Sequence, residues 1–202
     1  MSIELKSIEY RKVKFQIAGI SCLVMHQWSE KARRELREKH AGKKTKTREK
    51  RDVDAEAQAA TYKTQDGDPG IPAIAFKSSL ITAAHKDLGI EKTLVRKAIF
   101  TGCADPQQVL PIGYSDMEIR EDLVRVGAGQ PDLRYRPYFH DWTCDISLEF
   151  EPSLIRLEDL VKLVDRAGLT VGIGEWRPEK GGEYGRFRIN HEIPIDVETS
   201  QN

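Results

Sequence analysis

WTCDISLEFEPSLIRLEDLVKLVDRAG, residues 142–168, contains the clearest strand and the clearest helix of this chain in direct succession. Its first part alternates apolar and polar side chains, which predicts a strand with one buried face. Its second part repeats apolar residues at helical spacing, with Ser153 as a candidate N-cap and Gly168 as the C-terminal glycine. The apolar positions are Cys144, Ile146, Leu148 and Phe150 in the strand, and Leu157, Leu160, Val161 and Val164 in the helix.

Working outward, the same period arguments predict the remaining elements. They predict a first strand over 10–20, a packing helix over 73–89 closed by Gly89, two short strands over 109–114 and 122–127 that form a hairpin, and a closing strand over 185–195. For residues 91–102 the apolar run is too short to decide between a helix and a strand. The order predicts an α+β fold, a ferredoxin-like or RRM-like antiparallel sheet with two helices on one face and the other face free.

Composition predicts one intracellular domain. The chain has 202 residues, enough for one core. Lys plus Arg and Asp plus Glu both number 32, so a generally basic nucleic-acid binder is excluded and any basic surface is local. Three separated cysteines with no signal peptide favour free thiols in the cytoplasm of a bacterial or phage-infected cell. No apolar run has the length of about 20 residues that a membrane span needs.

A basic insertion follows the first strand. Between Glu30 and Asp52 there are eleven Lys or Arg against five Asp or Glu, and few apolar residues. Such a segment lacks a face to bury, so we expect 28–66 to be an inserted, partly mobile basic arm, with Lys43, Lys44 and Lys46 as candidate phosphate contacts. A solvated helix followed by disorder is the alternative interpretation of this charge run.

Residues 168–187, GLTVGIGEWRPEKGGEYGRF, place six glycines among aromatic and cationic side chains. Glycine lets main chain approach a ligand closely, while arginine, lysine and aromatics hold phosphates and stack on bases. The pattern predicts a loop that clasps the backbone of a polyanion, with an ordinary long connection as the alternative. Its candidate contacts are Gly172, Gly174, Trp176, Arg177, Lys180, Gly181, Gly182, Tyr184, Arg186 and Arg188.

Two of its aromatic side chains have a second interpretation. Trp176 and Tyr184 either stack on bases or anchor the loop on the core, and the sequence leaves this open.

With a ferredoxin-like order and this loop before the last strand, the chain resembles the RAMP superfamily of repeat-associated CRISPR proteins. A second motif, GIPAIAFKSSLITAA, is similar to a turn and helix of the RNA-binding backbone subunits and keeps Ile71, Pro72, Lys77, Ser78 and Ser79. The resemblance implies a free-standing member, as in phages or prophages. It implies RNA across the sheet, contacts from the loop and from Lys77, Ser78 and Ser79, and an insertion that meets neighbouring copies.

Residues 122–142, DLVRVGAGQPDLRYRPYFHDW, alternate arginine and aromatic residues. We expect a Gly/Pro loop between strands that forms either a groove for nucleic acid, with Arg134 and Arg136 as contacts, or a protein interface.

The sequence contains little evidence for catalytic histidines or for a metal or cofactor site. His26, just after the first strand, is the one weak candidate for a general base, and no motif supplies a second acid-base group. Neither a metal set nor a dinucleotide fingerprint occurs, so no metal and no cofactor are expected.

The leading hypothesis is sequence-tolerant RNA or single-stranded nucleic-acid binding without catalysis, with assembly into a homo-oligomer along the strand or a ribonucleoprotein. The alternatives are a protein-interaction subunit of a phage or CRISPR-related assembly, and a metal-independent endoribonuclease that uses His26.

Overall fold

A computed structural model of the chain describes residues 8–27, 51–126 and 129–200, together with 34, 37–38 and 40–41. The strands are β1 (Tyr10–Gly19), β2 (Leu23–Val24), β3 (Gly70–Pro72), β4 (Ile99–Thr101), β5 (Val109–Gly113), β6 (Asp116–Val126), β7 (Gln130–His140), β8 (Thr143–Phe150), β9 (Phe187–Ile189) and β10 (Asp196–Ser200). The helices are α1 (Val53–Ala59), α2 (Ala73–Leu88), α3 (Lys92–Ala98) and α4 (Leu157–Thr170), with a 3-10 turn at Pro178–Lys180.

The main sheet has β1 and β8 at its centre, paired antiparallel from Arg11 opposite Phe150 to Ala18 opposite Thr143. On the outer side of β1, β9 pairs with its end and β10 with its start. On the outer side of β8, β4 and β5 occupy opposite ends of the strand. With α2 after β1 and α4 after β8, this is the ferredoxin-like connectivity. The predicted fold class is confirmed.

The two long helices cover one face of this sheet. Alternate residues of β1 and β8 are buried against Phe76, Leu80 and Ala83 of α2 and against Leu160, Val164 and Ala167 of α4. The opposite face carries polar side chains of mixed sign. From the cross-strand register, these include Lys12, Lys14, Asp145, Glu149 and Arg188. Cations and carboxylates therefore interleave on the open face.

Two predicted features of α4 are wrong at its ends. The helix begins at Leu157 with Arg156 as N-cap, because Ser153 lies in the preceding turn, where its hydroxyl donates to Glu151. The helix also continues past Gly168 to Thr170. A Cβ on Gly168 would collide with the carbonyl oxygen of Phe187, so this glycine permits close packing of α4 on β9.

A second, three-stranded sheet with the order β2-β7-β6 stands beside the first. Its hairpin pairs Asp116 with His140 and Val126 with Gln130, so the predicted Gly/Pro loop over 122–142 is wrong. The predicted pairing of 109–114 with 122–127 is wrong as well, because β5 joins the main sheet while β6 pairs with β7. Residues 91–102, left open from the sequence, form α3 and then β4.

Part of the predicted arm packs on this second sheet. Asp52 caps α1, its carboxylate accepting the Ala55 amide. Arg51 pairs with Asp132 and Glu56 and donates to the Leu133 carbonyl, so the start of α1 is tied to β7. Lys43, Lys44 and Lys46 lie outside the described residues, and the single domain with an inserted arm at 28–66 stays a prediction. None of the described helices combines the length and apolar character that crossing a membrane requires.

Candidate nucleic-acid interface

The two motifs singled out in the sequence meet around one cavity of about 580 Å³. One wall is the glycine-rich loop, from Val171 to Lys180, and the other is the N-terminal half of α2. Leu23, Met25 and Ile71 contribute apolar surface to it. The loop thus lies on the helix-bearing side of the molecule, and it does not fold over the open sheet face that the resemblance implied for RNA.

Glycine is required where the loop passes β2. Gly172 and Gly174 have φ of 68° and 76°, in the left-handed region, and both line the cavity. A Cβ on Gly174 would collide with the carbonyl oxygen of Val24, which accepts the neighbouring Glu175 amide at 2.9 Å. At the cavity, Gly174 is half-buried and Gly172 is buried.

Arg177 is engaged inside the loop. Its guanidinium donates to Gly174 O at 2.9 Å and to Glu179 at 2.8 Å, and Lys86 of α2 also pairs with Glu179 at 3.3 Å. Burial would raise the pKa of Glu179, but the hydrogen bonds from Arg177 and Lys86 outweigh it and hold the pKa below its usual range. The carboxylate is thus charged at neutral pH, and Arg177 holds the loop's shape more than it offers a free charge.

Lys180 and Trp176 are two exposed residues of the loop. The Lys180 side chain lines the cavity and has no ion-pair partner among the residues that the structure describes. Trp176 lies between two cavity-lining residues, with φ of 53° and 42% of its surface exposed. Gly181 is exposed, and a Cβ on Gly182 would collide with the Trp176 carbonyl. Trp176 is therefore no core anchor.

Tyr184, in contrast, anchors the loop. Its hydroxyl accepts a hydrogen bond from Arg120 of β6, and its ring meets Tyr138 edge-on at 5.7 Å. Arg186 is half-buried, 3.8 Å from Glu183, and its Nε has no hydrogen-bond partner in the described structure. Neither side chain lines the cavity.

On the α2 side, Ser78 is exposed to the cavity, whereas Ser79 is buried and donates to Ala167 O at 3.4 Å. Lys77 points to the other side of α2, where its ammonium lies 4.4 Å from the Phe100 ring centroid and donates to Arg96 O. Burial, followed by the charge of Arg96, lowers the pKa of Lys77.

A second, more open cavity of about 470 Å³ adjoins the first along α2. The two share Ile74, Ser78 and Thr82. Among the described residues, three cations and no carboxylate line the second cavity: Lys77, Lys92 and Arg96. Sequence reasoning missed Lys92 and Arg96, for which the one available signal is two cations four residues apart beside an apolar run. It also missed Gln107, which lines the first cavity from a loop that carries no motif.

Three predicted arginines lie elsewhere. Arg136 is 6% exposed and pairs with buried Asp122 at 2.9 Å, so we remove it from the candidate site. Arg134 pairs with Asp132 at 3.2 Å on β7. Arg188 pairs in register with Ala18 and is on the open sheet face, away from the loop's cavity.

His26 lies in the first cavity's lining, and its Nδ1 is buried with no hydrogen-bond partner in the described structure. Burial, followed by the charge of Arg136, lowers the pKa of His26, so the imidazole is neutral at pH 7. His85 contacts only the Ile90 carbonyl, at 3.4 Å, among the contacts described for its side chain. Within the described ranges, no three His, Cys, Asp or Glu side chains are grouped to hold a metal ion.

No family model and no curated protein sequence matches the chain. Among solved structures, it is similar to a chain of the Type III-B Cmr-beta bound to cognate target RNA, with a TM-score of 0.44 and 12% identity over 95% of this chain and 61% of that one. It is also similar to Cmr6 from Pyrococcus furiosus, with a TM-score of 0.42 and 11% identity over 91% of this chain and 100% of that one. The chain thus spans about three fifths of the first of these. At these values neither similarity assigns it a function, and membership of the RAMP superfamily stays a prediction.

Proposed function

We propose that this protein binds the backbone of single-stranded nucleic acid, RNA in the first instance, along the two adjoining cavities beside α2. The observation that carries the proposal is that the glycine-rich loop and the N-terminal half of α2, about a hundred residues apart in sequence, line one cavity that continues into a cationic one. The path offers the half-buried main chain of Gly174 and the Ser78 hydroxyl, with Lys180 at one end and Lys92 and Arg96 at the other.

The charges on this path support contact with a few phosphates. Lys92, Arg96 and Lys180 are exposed, while Glu175 and Glu179 line the loop side. Lys86 and Arg177 offset Glu179, so the path has a small positive excess. Trp176 supplies an exposed ring for one base, and stacking of this kind contributes on the order of 1–3 kcal/mol per base without selecting the base.

The test is binding of labelled single-stranded RNA and DNA oligomers at several salt concentrations. Removing one cation that neutralises a phosphate lowers the slope of log K against log salt by about 0.7 on a single strand. The double variant Lys92→Ala/Arg96→Ala is therefore expected to lower the slope by about 1.4, and Lys180→Ala by about 0.7.

Lys162 and Arg166 provide a matched control, because they are the same residue types at the same spacing on the exposed side of α4 and line neither cavity. Lys162→Ala/Arg166→Ala is expected to leave the slope unchanged. The proposal fails if wild type binds no oligomer at 50 mM salt, or if the two double variants lose affinity equally.

Assembly along the strand is part of the same proposal. Several copies on one long RNA would elute together as a species larger than the protein alone. Elution as one copy per strand at saturating protein would contradict oligomerisation and leave binding intact.

One observation favours RNA cleavage as a second function. His26 lines the cavity of the proposed path, and its imidazole is neutral at pH 7, which is the state a general base needs. Wild type would then shorten RNA without added metal, and His26→Ala would bind RNA without shortening it. Intact RNA after a day with wild type would exclude this function.

A further inference from the structure

A cysteine, a histidine and a glutamate lie in series outside the proposed path. Cys22 Sγ is 3.5 Å from Nδ1 of His140, and Nε2 of the same ring is 3.1 Å from Oε1 of Glu118. Cys22 lies between β1 and β2, His140 ends β7, and Glu118 is diagonal to it across the β6–β7 pair. Because the sulfur and the carboxylate contact opposite nitrogens of the ring, they do not surround a common point as metal ligands would.

The carboxylate fixes the role of each imidazole nitrogen. An ionised carboxylate only accepts hydrogen bonds, so Nε2 carries the proton that faces Glu118. In the neutral ring Nδ1 then has its lone pair directed at the Cys22 thiol, where it is placed to take the sulfur's proton. A nucleophile, a base and a group that orients the base are thus arranged as in enzymes that activate a thiol.

Tyr138 is the second group at this sulfur. The hydrogen bond with Cys22, followed by burial, raises the pKa of the Tyr138 phenol to about 12, so the phenol keeps its proton and donates it toward sulfur. Its ring packs edge-on against His140 with centroids 4.8 Å apart. Hydrogen bonds to sulfur stabilise the thiolate, which is the reactive form of cysteine.

The other two thiols have no imidazole in contact among the described contacts. Cys144 is buried, and burial raises its pKa to about 12. Cys103 is partly exposed, and burial raises its pKa too. Cys22 is partly exposed and the one thiol with an imidazole in contact among the described contacts.

We propose that Cys22 is a modification site, a thiol activated by His140 and Tyr138 that reacts with hydroperoxides and other soft electrophiles. With a hydroperoxide, Nδ1 of His140 takes the thiol proton and the sulfur attacks one peroxide oxygen. The O–O bond breaks, and the leaving oxygen takes the proton from the imidazolium and departs as water or an alcohol. Cys22 is oxidised by two electrons to a sulfenic acid, and the peroxide is reduced.

Cys22, the residue that would be modified, also contacts the glycine-rich loop through its main chain. The Cys22 carbonyl accepts the Gly185 amide at 2.8 Å, and Tyr138 contacts Tyr184 of the loop. An added oxygen on sulfur displaces the Tyr138 phenol, so oxidation loosens the loop. This consequence is independent of whether the loop binds nucleic acid.

The reactivity is tested by competition within one full-length protein. A short exposure of the native protein to iodoacetamide is followed by mass spectrometry of the three cysteine peptides. Cys22 is expected to be alkylated at least about tenfold faster than Cys103. A sulfenic acid at Cys22 is expected to be trapped by dimedone after mild hydrogen peroxide. Equal alkylation of Cys22 and Cys103 overturns the proposal.

Variants of His140 and Glu118 show whether Cys22 reacts because the imidazole activates its thiol or only because the thiol is exposed. His140→Ala and the milder Glu118→Gln, at an exposed residue, are expected to slow Cys22 alkylation, the first more than the second. His85→Ala is the matched control, since that ring contacts only a backbone carbonyl in the described structure, and it leaves the rate unchanged. Unchanged rates in Glu118→Gln and in a folded His140→Ala overturn the role of the imidazole.

The link to the loop is measured by hydrogen exchange of the peptide that contains Gly185. Peroxide is expected to speed its exchange in wild type and not in Cys22→Ser. Equal exchange in oxidised and reduced wild type overturns the link, while the alkylation rates decide the modification site on their own.

Discussion

The Tyr184 hydroxyl accepts a 2.7 Å hydrogen bond from Nη1 of Arg120, 64 residues earlier in the chain. The same guanidinium lies 4.9 Å from the Tyr184 ring centroid. Through this contact the β6–β7 hairpin fixes the end of the glycine-rich loop, so the geometry of the proposed path depends on the second sheet.

Tyr184→Phe removes that hydrogen bond and keeps the ring. A hydrogen bond to a charged group contributes about 1.5–3 kcal/mol when well shielded, and this one is partly exposed, so we expect a loss of about 1 kcal/mol in the free energy of unfolding. Denaturant unfolding measures it. Tyr114→Phe, at an exposed tyrosine with no hydrogen bond in the described structure, is the control; equal losses in both variants would contradict the assignment.

Asp122 is a buried carboxylate between two arginines, at 2.6 Å from Arg120 Nε and 2.9 Å from Arg136 Nη1. Asp122→Asn leaves the buried Arg136 guanidinium without its counter-charge. Breaking a buried pair in this way typically costs about 3 kcal/mol or more, which we expect at pH 7 in the free energy of unfolding.

The same pair predicts a pH dependence. Burial would raise the pKa of Asp122, but the hydrogen bonds from Arg120 and Arg136 outweigh it and lower the pKa below its ordinary value of 3.8. The stabilisation is therefore present above that value and is lost as pH falls through the lower folded-state pKa. Unfolding measured from pH 7 to pH 2 should show wild type and Asp122→Asn converging below about pH 4. A constant gap would contradict this.

Gly185 and Gly67 both have positive φ, 65° and 94°, but differ in the space around them. A Cβ on Gly185 would collide with the Ile173 carbonyl, whereas nothing lies within 4 Å of one on Gly67. Both alanine variants carry backbone strain. The difference between their losses of unfolding free energy therefore measures the cost of the collision at Gly185. Gly185→Ala is expected to lower the free energy of unfolding by at least about 2 kcal/mol more than Gly67→Ala. Equal losses would show that the loop shifts freely.

Trp176 has a left-handed backbone at φ of 53° and an exposed side chain. Glycine relieves strain of this kind, which is of order 1 kcal/mol, so Trp176→Gly should leave thermal stability at or above that of wild type. If the ring stacks on a base, RNA affinity should fall at least about fivefold, while Trp176→Phe keeps most of it. If Trp176→Gly binds RNA as tightly as wild type, Trp176 does not contact the bound strand.

The limits of sequence reasoning are clearest in the second half of the chain. The alternation in 143–150 and the helical stripe after it predicted β8 and α4, because their periods depend on burial of one face alone. Residues 130–140 alternate too, yet their Pro and Arg content and the glycines just before them suggested a loop. The charges of Arg136 and Asp122 are tolerated inside because they pair across two strands, which no local pattern shows.

The sequence by itself determined the central strands, the two long helices, the ferredoxin-like class and the two motifs that the fold brings to one cavity, because periodicity and glycine content are local properties. Only the tertiary structure decided which cations remain available. Arg136 and Arg177 are engaged by carboxylates, Lys92 and Arg96 line a second cavity, and Arg188 faces the other side of the sheet. These outcomes depend on which strands become neighbours, and that pairing brings together charges distant in sequence.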